Sequence, residues 1–181
     1  MKLGLTLLRT IIGALFFGHG TQKLFGWFGG HGIEGTAGAF ESLGLRPGRK
    51  HATAAGAAEA GGGVLLALGF LTPAAAAALI GVMSTAIRKV HAKNGPWATD
   101  GGYEYNLALI AIMVALADVG PGDVSLDHAL GIEVKGPLVA LLALAAGIGG
   151  AAVLTGGGSQ ATEPAPPPTE TPQGQEAAAT V

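Results

Sequence analysis

Apolar residues gather in five runs separated by polar or glycine-rich stretches. The first, Leu3 to Phe25, is long enough for a hydrocarbon core, which needs about 20 helical residues. Lys2 precedes it, as in a signal peptide. However, Arg9 interrupts the run and no small-x-small cleavage site follows Gln22-Lys23-Leu24, so it reads as an uncleaved span. Ala52 to Leu71 makes the second span and contains Glu59 and Gly61-Gly62-Gly63. Ala52, Gly56 and Ala60 stand four apart, a small-residue stripe that lets helices approach closely. Thr72-Pro73 caps and starts a third span, to about Val90, after a tight turn. The fourth runs from about Tyr103 to Val119. The fifth, Pro137 to Leu154, repeats the stripe at Ala143, Gly147 and Ala151.

The connections carry their own signals. Gly26 to His51 is a long loop with a short interfacial helix inside it, which Thr36 caps and Gly44 stops. Arg88 to Asn106 is a second long connection, and Gly120 to Gly136 a short acidic one. From Thr155 onward prolines sit among Thr, Gln, Gly and Ala, a composition expected to stay disordered. The organisation read from the chain is an all-α integral membrane protein. Residues 1–130 form an antiparallel four-helix bundle, 131–154 a fifth C-terminal transmembrane helix, and 155–181 a disordered tail.

Composition agrees with a bilayer as solvent. Charged residues make up 12% of the 181 and mean hydropathy is +0.48, whereas a soluble domain carries roughly a quarter charged residues. The net charge of -2 and the lack of a basic aromatic patch argue against nucleic acid. With no cysteine, disulfides, thiolate chemistry and cysteine-ligated metals are excluded, so a redox role needs a bound cofactor or a partner. Lys23, Arg46, Arg49, Lys50, Arg88, Lys89 and Lys93 flank the two long loops, against Lys2 and Lys135 opposite. Basic excess predicts long loops in the cytoplasm and the N-terminus outside.

Antiparallel alternation puts the end of span one, the start of two, the end of three and the start of four at one end of the bundle. His19, Gln22, Lys23, Trp27, Glu59, His91, Asn94, Trp97, Tyr103, Glu104 and Asn106 are therefore the candidate ligand-binding residues. His19, Gln22 and Lys23 share a helical face by their i, i+3, i+4 spacing. A carboxylate in mid-span costs about 2.5–3.5 kcal/mol on insertion scales, so Glu59 needs a cation, a proton or a functional reason. Glu59 and Glu104 are the candidate proton relay. Alternatively, a buried ion pair fixes only the packing, and the tryptophans form only an interface belt. No H-E-x-x-H or other ligand spacing assigns His19, His91, Glu59 and Glu104 to a metal.

Two separated strings carry a resemblance: His19-Gly20-Thr21-Gln22-Lys23-Leu24-Phe25-Gly26-Trp27-Phe28-Gly29-Gly30, with Gly35-Thr36 and Phe40-Glu41-Ser42-Leu43-Gly44 following, and Asn94-Gly95-Pro96-Trp97 with Gly101-Gly102-Tyr103-Glu104-Tyr105-Asn106-Leu107. Over roughly Leu3 to Leu130 the chain resembles the bacterial DoxX family. That resemblance implies a four-helix protein of the bacterial cell (inner) membrane, and the fifth run and the tail depart from it. The family's founding member is a subunit of a thiosulfate:quinone oxidoreductase, and some relatives partner sulfurtransferase and superoxide dismutase in a thiol-stress complex. The implied function is a membrane subunit of an oxidoreductase complex, binding quinone or a small ligand at the cytoplasmic end, with a soluble redox protein such as a sulfurtransferase as donor. The other readings are a non-catalytic scaffold or carrier, and a small-solute transporter whose helix breaks at Gly61-Gly62-Gly63.

Overall fold

The computed structural model describes residues 3–156, and all regular elements among them are helical. Five long helices carry the fold: α1 (Leu3–Phe25), α3 (Gly48–Leu68), α4 (Thr72–Ala86), α5 (Glu104–Val119) and α7 (Pro137–Gly156). Two short ones, α2 (Gly32–Ser42) and α6 (Leu126–Ala129), lie in the connections. Beyond Ala86, α4 continues through a π-helical turn (Ile87–His91) and a 3-10 turn (Ala92–Asn94), further than Val90. Three of these segments are long and apolar enough to cross a membrane: Leu3–Phe25, Thr72–Asn94 and Pro137–Gly156. Helix α5 has only 16 residues. Helix α3 has the length but fills its face with Ala, Gly and Glu59. The tail expectation falls outside the described residues, apart from Thr155 and Gly156, which complete α7.

Close approach of backbones sets the arrangement. A Cβ added to Gly13 of α1 would lie 2.5 Å from the Gly63 carbonyl oxygen of α3, and one added to Gly20 would strike the Ala60 and Gly56 backbones. Gly13 meets Gly63 while Gly20 meets Gly56, so α1 and α3 run antiparallel along a seam of glycines, each pair seven residues apart. The expected stripe thus forms, and Gly56 and Ala60 face α1. With no hydrophobic drive between helices in lipid, van der Waals contact across such a seam is the main attraction. Gly63 serves the seam, Gly62 packs on Leu79, and α3 runs unbroken through all three glycines, which removes the helix break a transporter reading would use.

Helix α4 is central, packing against α3, α5 and α7. Leu66, Leu79, Ile80, Met113 and Leu116 are fully buried around it. Gly147 of α7 brings that helix onto Ile80 and Ala77, so the fifth helix is packed into the bundle. Leu3, Leu7 and Ile11 on α1 and Leu138, Leu141 and Val153 on α7 point outward, as lipid-facing residues do.

Several local expectations change. Helix α3 starts at Gly48, not Ala52, because its polar first turn gives no apolar signal. Helix α2 starts at Gly32, and Thr36, inside it, donates its hydroxyl to the Lys23 carbonyl instead of capping. Gly44 does end α2: at φ +76° it lets Leu45 N–H reach Phe40 O at 2.9 Å and Gly44 N–H reach Glu41 O at 3.0 Å. Thr72 does not cap α4 with its own side chain. The buried Asp127 of α6 does so from outside, accepting from Leu71 N–H (2.8 Å), Thr72 N–H (3.0 Å) and Thr72 Oγ1–H (2.8 Å).

Candidate functional site

The C-terminal half of α1 places Ile12, Leu15, Phe16, His19 and Lys23 on one face, spaced as successive helical turns require. Opposite stand the first half of α3, the last turns of α4 and the last turns of α7, with α2 and the start of α5 at the rim. Between them lies a cavity of about 650 Å³. Its walls are mainly aliphatic. Five of the sequence candidates line it: His19, Lys23, Glu59, His91 and Asn106.

The geometry centres on Glu59, which is 3% exposed. Lys23 Nζ–H donates to Glu59 Oε2 at 2.5 Å. Among the described residues Oε1 has no hydrogen-bond partner, and no unpartnered side-chain oxygen is sealed from solvent, so Oε1 opens into the cavity it lines. Asn106, also buried, donates to the Met83 thioether at 3.4 Å, a weak acceptor, leaving its amide oxygen available to the cavity. His91 comes from the π-helical turn, a distortion often found at functional sites, and its Nδ1 lies 2.7 Å from Gly101 O. Nδ1 of His19 lies 3.1 Å from Gln22 Oε1, and Gln22 Nε2–H donates to Phe28 O, so Gln22 orients His19 and the aromatic loop from outside the cavity.

The structure leaves the other candidates elsewhere. Trp27 packs tilted against Phe25 and edge-on to Phe28 in an exposed aromatic group. Asn94 donates to Gly101 O, bracing its loop. Trp97 is exposed. Tyr103 precedes α5, and Glu104 sits exposed in its first turn, where a carboxylate favours the helix N-terminus. His51, Lys89 and Tyr105 line the cavity and were missed. His51, Ala55 and Glu59 are four apart on one face, a signal hidden when α3 is started at Ala52.

The opposite end of the bundle, at the tight turn between α3 and α4, has polar contacts of its own. Buried Arg9 donates Nε–H to Pro121 O at 3.1 Å and Nη1–H to Leu66 O at 3.4 Å, and also bonds Ala67 O and Val124 O. It thereby satisfies the last carbonyls of α3 and ties them to the loop that holds Asp127.

No curated protein and no solved structure matches the chain. The sequence model of the DoxX family matches residues 4–92, which cover α1 to α4 and most of the cavity wall; the second motif, 94–107, lies beyond that stretch. Residues 4–92 therefore form a DoxX-family domain, in a chain whose outward-facing apolar helices are those of a membrane protein.

Proposed function

We propose that the protein is an integral subunit of a bacterial redox system in the cell membrane, binding a quinone or similarly small ligand in the α1/α3/α4/α7 cavity. The long loops and this cavity then face the cytoplasm, as the basic residues favour. A soluble redox protein, of which a sulfurtransferase is one class, supplies the electrons, because a chain without cysteine has no thiol chemistry of its own. The observation that supports this reading is Glu59 Oε1, a carboxylate oxygen open to a chamber with mainly aliphatic walls. Ligand sites combine apolar walls with a few placed polar groups in this way.

A bound quinone supplies two-electron, two-proton chemistry. The chain's own part is to hold and protonate. Ile12, Phe16 and Val82 offer an apolar slot. His19, His91 and Asn106 offer hydrogen-bonding groups for carbonyl oxygens. Glu59, held by Lys23, moves a proton at Oε1. Glu104 faces away from the chamber and takes no part in this scheme.

Mass spectrometry of the gently extracted protein tests the reading. Retained quinone, diminished in Glu59→Gln at unchanged expression, supports it. Absence of quinone, with no binding of an added short-chain quinone, would overturn it in favour of a scaffold that docks a soluble partner.

A further inference from the structure

A second concavity, of about 820 Å³, runs along the outside of the bundle between α4, α5 and α7. Its sides are aliphatic, with Leu107, Val114, Leu144 and Ile148 around small Ala111 and Ala140. From Pro137 to Ile148 along α7 it extends about 16 Å at 1.5 Å per residue. The two ends differ in charge. Arg88, exposed in the π-helical turn, stands at one, and Asp118 at the other. Among the described residues no carboxylate lies within ion-pair distance of Arg88. Lys89 and Lys93 add to the positive field at that end.

We propose that this groove seats an acyl chain of an anionic membrane phospholipid, with the lipid phosphate on the Arg88 guanidinium. Three features select that occupant. The aliphatic trough suits a hydrocarbon chain. The unpaired guanidinium matches a phosphate, which it can bond with two parallel N–H groups. Asp118 at the far end repels a phosphate, so the lipid has one polarity in the groove. A lipid whose headgroup also carries a cation gains less at Arg88, with Lys89 and Lys93 beside it. The site lies on the outer face, apart from the Lys23–Glu59 cavity, and does not depend on what that cavity binds.

Native mass spectrometry of the full-length protein in neutral detergent is the test, titrating phosphatidylglycerol and phosphatidylcholine of identical chains. The expected result is one retained phosphatidylglycerol, favoured about fivefold over phosphatidylcholine, as one interfacial cation supplies. Arg88→Gln should erase the preference and Arg88→Lys keep part of it. Ala115→Phe, at an exposed position in the groove, should remove the retained lipid. Equal retention of the two lipids, or a preference that survives Arg88→Gln, overturns the proposal. So does a dimer in which Ala111→Cys cross-links between copies whether or not phosphatidylglycerol is present, since a second copy then covers the groove.

Discussion

Lys23 and Glu59, 36 positions apart in the chain, meet at 2.5 Å where the last turn of α1 crosses the middle of α3. The pair is unequal: the lysine side chain is 25% exposed and the glutamate 4%. Removing the cation strands a buried carboxylate, whereas neutralising the carboxylate leaves an ammonium that still reaches polar surroundings. Lys23→Met should therefore cost about 3–5 kcal/mol. Glu59→Gln should keep most of the melting temperature while losing bound ligand. The double variant should recover most of the lysine loss, because no unpaired buried charge remains. Thermal melting in detergent checks the order, and equal losses in the two single variants would mean that the pair acts only as a clamp.

The glycine seam predicts a contrast between neighbouring positions. Gly13→Ala should destabilise by about 1–3 kcal/mol, since its new methyl meets the α3 backbone. At Gly18 and Gly61 an added Cβ meets nothing within 4 Å. Alanine there should be neutral or stabilise by about 0.5–1 kcal/mol through helix propensity. Melting curves of the three variants decide; a loss at all three would mean that the seam is not what positions α1.

Asp127 holds two backbone donors and a hydroxyl at the start of α4. Asp127→Ala leaves them without partners and should cost about 3 kcal/mol. Because this network sits at the far end from the cavity, folded Asp127→Ala protein should retain ligand as well as wild type does. Retention measured on the folded fraction separates the two ends.

Outside the spans, the hydrogen bond from Lys135 holds the Glu133 carboxyl below the usual carboxylate range, with His128 adding in the same sense. A folded value below the unfolded one means that the stabilisation is present above the unfolded value and is lost as pH falls through the folded one. The group is on the surface, so the stability effect should be small. Carboxyl-selective NMR should place its midpoint below that of an ordinary glutamate, and Lys135→Met should raise it. An unmoved midpoint would mean that the contact does not persist in solution.

The basic residues of the two long loops predict the side of the membrane that each end takes. A fluorescent reporter fused after Val181 should glow in the cytoplasm if five helices span. A periplasmic phosphatase fused after Leu130 should be active. A fluorescent fusion at Leu130 would reverse the orientation.

The chain by itself determined its elements. An apolar run and its length are local properties, so the helices at Leu3, Thr72 and Pro137 are visible without neighbours, as is the stop at Gly44, where only a left-handed residue fits. The DoxX motif around His19 and Lys23 is local too, and so is the tendency of the polar residues to gather at one end. The start of α3 is not, because Gly48 to His51 are polar and become helical only when packed beneath α2. This hid His51 from the cavity lining. Contacts between distant residues depend on how far each helix turns about its axis and where it crosses its neighbour. Those variables are settled by backbone contact at Gly13, Gly20, Gly56 and Gly63. Only the tertiary structure could therefore aim Glu59 at Lys23, turn Glu104 outward, and bring Arg9 to the last carbonyls of α3 and Asp127 to the first amides of α4.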